Sequence, residues 1–289
     1  MSEELAHEWP STLNLNSLET AYSSIDSIRE QLFANHLIIL RGIGNISVKE
    51  FADFASQLGE LEQPLANTVV DEMDGRVEVL QRKVNDNHYR HSLSEATTSA
   101  LRKPSSFYWH ADRSFLPQPS FLTATRIVTA PEVGGATDFI NTELAYASLA
   151  ENDAIALRGL VGVHSYAYYH KKLAGDNIYT SEETAKKRAL YPPVEHPLVM
   201  AHPITRKSLV YTSPLTLERV LGPEEDVLAA ENSSVHLLYE TKPSYYSHTW
   251  TDGDIVIWDN FGVLHRGSAS EGERKLQRVT IALPLDTNG

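Results

Sequence analysis

The chain of 289 residues contains no cysteine. That excludes disulfides, thiolate-ligated haem, cysteine-bound iron–sulfur clusters and a cysteine nucleophile. Basic residues are also in short supply. With 25 Lys and Arg against 38 Asp and Glu the net charge is −13, which argues against nucleic acid or an anionic membrane as partner. No apolar run approaches the ~20 residues that cross a bilayer. Met1-Ser2-Glu3-Glu4-Leu5 has neither the basic region nor the apolar core of a secretory leader. No Pro/Gly/Ser-rich linker and no internal repeat divides the chain, so a single domain over 1–289 is expected. These absences suit a cytoplasmic protein that acts on a small molecule, and they are compatible with a homo-oligomer.

What is present reads as a mainly β protein. Leu18–Phe33 carries Ala21, Ile25, Ile28 and Leu32 near the helical period. His36-Leu37-Ile38-Ile39-Leu40-Arg41 is a continuous apolar run that predicts a buried strand. Ser47 followed by Glu50 is a capping-box pattern that leads a helix to about Leu58, where Gly59 stops it. Val77–Leu80 and Phe121–Val128 are predicted strands; Asn141–Leu149 and Glu225–Tyr239 are predicted helices. The remaining stretches read as short strands between turn residues. A barrel or sandwich with a few covering helices is the expected architecture.

The chemistry concentrates in Trp109-His110-Ala111-Asp112-Arg113-Ser114-Phe115 and, far downstream, His265. Two neutral imidazoles and one carboxylate on one face of a metal leave its other positions open, an arrangement suited to non-haem Fe(II). In an extended segment His110 and Asp112 point to one side and Ala111 to the other; Ser106 and Tyr108 join the metal side. Taken singly, a histidine in a chain with twelve of them is more often a satisfied structural residue. The downstream segment adds weight. Arg274 and Arg278 lie four apart on a predicted strand and share a face, and a guanidinium fork is a natural clamp for a carboxylate. Arg278 sits between apolar neighbours, so it requires an acidic partner: a co-substrate, a substrate or a structural acid.

These motifs resemble the taurine dioxygenase/TfdA family of Fe(II)- and 2-oxoglutarate-dependent oxygenases. Besides Trp109–Asp112, they are Gly134-Gly135-Ala136-Thr137, the run from Gly253 to Asn260, Leu264-His265-Arg266 and the run from Arg274 to Thr280. His196–Val199, His202-Pro203 and Leu209–Tyr211 have the family's look in the middle of the chain. The likeness covers about Leu37 to Leu283. It implies a double-stranded β-helix, or jelly roll, with His110, Asp112 and His265 on iron. It also implies Arg274 on the distal carboxylate of 2-oxoglutarate with Thr137 adding a hydroxyl, and Arg278 near the co-substrate or the substrate's acid. Dioxygen is the third reactant. Halogenating relatives replace the carboxylate ligand by a small residue, so Asp112 implies hydroxylation, desaturation or oxidative decarboxylation.

The substrate is read less directly. Asn67, Tyr89, Tyr108 and Arg278 are the candidate substrate contacts. Asn85-Asp86-Asn87-His88-Tyr89-Arg90-His91 suits a lid before the first ligands. Tyr166–Lys172 is an aromatic, basic stretch that suits either a substrate-facing insertion or a solvated helix end. Pro64–Asn67 lacks the histidine of sulfonate-specific relatives. The sequence around His110 resembles that of members that modify tyrosine-derived isonitriles in natural-product biosynthesis. The alternatives are a catabolic sulfonate or aryloxyalkanoate dioxygenase and, in another class, a non-catalytic jelly-roll protein that binds a metal and a small acid.

Overall fold

The computed structural model describes residues 9–65, 68–82, 107–174, 180–222, 227–228 and 244–284. Strands dominate and helices cover them. The largest sheet has six strands in the order Ser11–Asn14, Leu37–Arg41, Ile255–Asp259, Leu122–Thr129, Arg274–Ile281 and Glu78–Arg82. A three-stranded sheet places Thr137–Asn141 between Tyr245–His248 and Val263–Gly267. A further sheet of four strands and two ribbons of two complete the set.

The apolar run after His36 is buried because both faces of its strand are covered. Leu37 and Ile39 point into a cluster with Ile127, Phe139, Val256, Trp258, Val263 and Leu276, which lies between the large and the three-stranded sheets. Ile38 and Leu40 point the other way, into a core shared with Ile28, Leu32, Phe51 and Phe54 of the covering helices. Alternation of side chains along a strand makes this division, and burial on two faces removes the polar half of the pattern. Each such side chain contributes ~1.5–3 kcal/mol when fully buried.

Several local expectations are met and several are corrected. Ser47 and Glu50 form the reciprocal capping box of helix Val48–Ala55, followed by a 3-10 turn at Ser56–Leu58. Asn141 caps helix Thr142–Ala147 through Leu144 N–H. Leu18–Phe33 is two helices, Leu18–Ser23 and Ile25–Asn35, which meet at Ser24. Ser17 caps the first of these through the Thr20 N–H. Val227–Leu228, predicted helical, is a short strand against Val220–Leu221; the rest of that predicted helix lies outside the described residues apart from this pair. Tyr166–Ala174, whose first residues suit either a substrate-facing insertion or a solvated helix end, is a helix, and two stretches expected as strand and turn are helices as well: Glu151–Leu157 and Ser181–Leu190. The last has no buried residue, so its sequence has no apolar period to read. Its capping box, Thr180 with Glu183, was the available signal.

One corner positions the site. The turn Asp259-Asn260-Phe261-Gly262 carries the chain from the large sheet into the three-stranded one. His110 meets the latter through an isolated antiparallel bridge to His265.

Candidate metal centre

The bridge brings two imidazoles together. His110 N–H donates to the His265 carbonyl at 3.0 Å, and His265 N–H donates back at 2.9 Å. Directly opposed residues in an antiparallel pair project to the same face, and the two ring centroids are 4.1 Å apart. Asp112 arrives differently from the expectation. Beyond His110 the chain leaves the bridge and turns, and Arg113 takes a left-handed φ of 55°. His110 and Asp112 therefore share no continuous strand. Ala111 still faces away into the core, its N–H donating to Ser213 Oγ. Asp112 N–H donates to Asn260 Oδ1 at 3.1 Å, which returns the carboxylate to the two rings.

Asp112 Oδ1 lies 3.9 Å from His110 Nε2, and Asp112 Oδ2 lies 3.8 Å from His265 Nε2. The three donor atoms lie within 4.8 Å of one another. The carboxylate is too far from either ring for a hydrogen bond. It is near enough for one ion at metal–ligand distances of ~2.0–2.2 Å to be shared by all three. Burial pushes the His110 and His265 imidazoles below their ordinary pKa, more strongly for His265, which His110 also disfavours. Both rings are thus neutral at pH 7 and keep a lone pair for a metal. His110 Nδ1 donates to the Tyr108 carbonyl at 2.7 Å, which fixes the tautomer with Nε2 bare. His265 is held by its rings instead, 4.7 Å from Trp258 and 6.2 Å from Phe139.

For Asp112 burial acts in the opposite sense and would raise the pKa. The Arg278 guanidinium outweighs it, helped by the two histidines and by Thr123, and the carboxyl is held well below the usual range. Arg278 Nη1 donates to Asp112 Oδ1 at 3.2 Å and Arg278 Nε to Glu78 Oε2 at 2.8 Å. Thr123 Oγ1 donates to Asp112 Oδ2 at 2.8 Å and accepts from Asn260 Nδ2 at 2.9 Å. Of the three partners left open for Arg278, the structure supplies the structural acids. No role was read from sequence for Thr123, Glu78 or Asn260, although Asn260 closes the Gly253–Asn260 motif. They are isolated polar residues in apolar strands or at a turn, and no periodicity marks them.

Arg274 lies elsewhere on the same strand. It is buried, donates Nη2 to Thr137 Oγ1 at 3.2 Å and lies over the Trp250 ring. Trp250 Nε1 donates to the same hydroxyl at 3.0 Å. With two donors filling its acceptor positions, Thr137 has its own O–H left to give. Tyr108 is half-buried; Lys172 Nζ sits 5.6 Å from its ring and 5.7 Å from that of Tyr168. Lys172 also donates to the Pro214 carbonyl. Asn67, Tyr89, Ser106 and the segment 85–91 lie outside the described residues.

The model of the family "Taurine catabolism dioxygenase TauD, TfdA family" matches residues 3–280. The chain is 32% identical over 177 residues to the alpha-ketoglutarate-dependent 2,4-dichlorophenoxyacetate dioxygenase of Burkholderia sp. (strain RASC); that stretch is 60% of this chain and 57% of the relative, so it spans little more than half of that protein. Pentalenolactone F synthase of Streptomyces arenae is 26% identical over 288 residues, 94% of this chain and 88% of that protein. Among solved structures, that of AAD-2 in complex with Mn(II) and N-oxalylglycine superposes with a TM-score of 0.72 at 22% identity, over 92% of this chain and 90% of the other. Among the described residues no helix is long and apolar enough to cross a membrane. The chain belongs to the taurine catabolism dioxygenase TauD, TfdA family and is a dioxygenase of the class that uses Fe(II), 2-oxoglutarate and dioxygen.

Proposed function

We propose that this chain, acting as a single cytoplasmic jelly-roll domain, couples decarboxylation of 2-oxoglutarate to oxidation of a small aromatic substrate that carries a carboxylate. The observation that carries the reading is the His110, Asp112 and His265 set, with bare imidazole nitrogens and an ionised carboxylate around a gap of ionic size. The donor set fits Fe(II): two borderline nitrogens and one hard oxygen, with room for other ligands. When bound, the iron with 2-oxoglutarate and dioxygen supplies the oxidising power, and succinate and carbon dioxide leave with the oxidised product. The protein's residues bind, orient and neutralise. Arg274 and the free O–H of Thr137 take the distal carboxylate of 2-oxoglutarate, with Trp250 as one wall. Arg278 and Thr123 keep Asp112 ionised and aimed.

The Arg274 assignment makes a measurable demand. A lysine in its place is a point charge and cannot reproduce a planar fork. A charge-assisted hydrogen bond is worth roughly 1.5–3 kcal/mol. Arg274→Lys should therefore raise the KM for 2-oxoglutarate about tenfold or more in steady-state assays. An unchanged KM would remove Arg274 from the clamp.

For the substrate, the leading candidate is a tyrosine-derived isonitrile, a reading that rests on the likeness of the Trp109–Phe115 context to the isonitrile-modifying enzyme PvcB. Tyr108 and Tyr168 around Lys172 support an aromatic substrate. Rings add ~0.5–1.5 kcal/mol per pair beyond burial. Because Arg278 is taken up by Glu78 and Asp112, Lys172 is the better partner for the substrate's carboxylate. A second reading, an aryloxyalkanoate substrate, is favoured by the 32% identity to the 2,4-dichlorophenoxyacetate dioxygenase. The deciding experiment is substrate-stimulated succinate release across taurine, aryloxyacetates, aromatic amino acids and the isonitrile of tyrosine. We expect the tightest coupling with an aromatic carboxylate. Best coupling with taurine would overturn the substrate class, and turnover with an aryloxyacetate alone would select the second reading.

A further inference from the structure

The described residues contain a second group of two histidines and one aspartate: His36, His202 and Asp259, all three fully buried. Unlike the first group, this one is closed by hydrogen bonds. Asp259 Oδ2 accepts from His36 Nδ1 at 3.1 Å and from His202 Nε2. Asp259 Oδ1 accepts the Phe261 N–H at 2.8 Å, and Asp259 N–H donates to the His36 carbonyl at 2.9 Å. His202 Nδ1 accepts the backbone N–H groups of Ile204 and Thr205, at 3.2 and 2.9 Å. Its proton is therefore on Nε2 and must go to Asp259. His36 Nε2 is occupied by Glu143 Oε2 at 2.8 Å, and Glu143 Oε1 holds Lys207 Nζ at 2.8 Å. With a carboxylate on each ring nitrogen His36 donates from both, and it is charged. Burial alone would lower its pKa; the bonds to Asp259 and then Glu143 outweigh this and raise it to about 9. Charges alternate from Lys207 through Glu143 and His36 to Asp259.

Two features tie this cluster to the corner that serves the metal centre. A Cβ placed on Gly262 would lie 2.1 Å from His36 Cγ, so the backbone of the turn lies flat against the ring. His36 itself has a φ of 61°, a left-handed conformation uncommon outside glycine but one in which His, like Asn and Asp, is enriched. Between Asp259 and Gly262 sits Asn260. Its N–H donates to the Phe121 carbonyl at 2.9 Å. Its side chain accepts from Asp112 N–H and Trp258 Nε1, each at 3.1 Å, and donates to Thr123. One side of the turn is therefore held by the histidine–aspartate cluster and the other holds Asp112.

We propose that His36, Asp259 and His202 are positioning residues for the metal centre, which fix the Asp259–Gly262 turn so that Asn260 aims Asp112 at the ion. The cluster is not itself a metal site: every candidate donor atom in it already has a hydrogen-bond partner. The inference rests on the reading of His110, Asp112 and His265 as metal ligands. Partners outside the ligand set commonly alter metal affinity by ~10–100-fold.

The test uses Mn(II) as a redox-inert probe, titrated into the full chain and followed by the EPR signal of free Mn(II). Asp259→Asn and the milder His202→Gln should each weaken Mn(II) binding about tenfold, at a temperature where circular dichroism shows them folded. They should also alter the visible spectrum of bound Co(II). Ile28→Ala, a core cavity among the covering helices, should lower Tm and leave both metal readouts unchanged. In an Asn260→Ala background His202→Gln should add nothing, since the route to Asp112 is already cut. Unchanged Mn(II) affinity and Co(II) spectrum in folded His202→Gln, or full additivity with Asn260→Ala, would overturn the proposal. So would a second equivalent of Mn(II) on the wild type that His202→Gln removes, which would make the cluster a metal site. A wild type that binds no Mn(II) would instead overturn the metal centre itself, and this inference with it.

Discussion

Asp112→Ala should abolish turnover in a chain that remains folded. The substitution removes the only anionic donor of the set, and the two remaining imidazoles are neutral because burial depresses them. A cation held by neutral ligands alone in a buried setting loses its charge compensation. The expected loss of Fe(II) affinity is larger than the ~10–100-fold typical of partners outside the ligand set. Folding should survive because Arg278 keeps a buried acid. Its Nε and Nη2 both donate to Glu78 Oε2, so the guanidinium is not left unpaired. The measurement is succinate release together with metal content and circular dichroism on one preparation. Wild-type turnover at stoichiometric iron would end the ligand assignment.

Arg278→Met should be the most destabilising single change near the site, by roughly 3–5 kcal/mol. Glu78 and Asp112 are buried, with side chains 4% and 8% exposed. Without the guanidinium both charges would be desolvated with little compensation. Arg113 Nη2 lies 3.6 Å from Glu78 Oε1, which offsets part of the cost and favours the lower end of the range. The sign of the pH effect follows from Asp112. In the wild type its pKa is depressed, so the stability it contributes is present above its ordinary value and is lost as pH falls through the depressed one. In Arg278→Met the largest effect opposing burial is gone and only the weaker ones remain, so the pKa rises and protons compete with the metal. Mn(II) affinity should then fall between pH 7 and 5 in the variant and stay level in the wild type. Urea unfolding at pH 7 and Mn(II) titration at both pH values check the two halves. A stability within about 0.5 kcal/mol of wild type, the range of ordinary surface substitutions, would show that Glu78 and Asp112 are compensated by other groups.

The sequence by itself determined the identity of the candidate ligands, the buried strand after His36, and the capping box at Ser47. Each is written locally: a His-x-Asp spacing, an unbroken apolar run, a Ser and a Glu three apart. Arg274 with Thr137 came from the resemblance, and their contact at 3.2 Å shows that the two distant motifs meet. Only the tertiary structure decided how Asp112 reaches the rings. The local spacing suggested a strand, but the chain turns after His110, and Asn260, 148 positions away, restores the direction. It also decided that Arg278 pairs with Glu78, 200 positions earlier, and with Asp112. His36, His202 and Asp259 were invisible as a group for the same reason. Each stands alone in its own segment, and strand periodicity reports which face a residue takes but not which charged group waits there. Polar partners in a folded core are selected by the electrostatics of burial, which penalises every unpaired charge at once. That selection acts on positions in space, after the strands have paired.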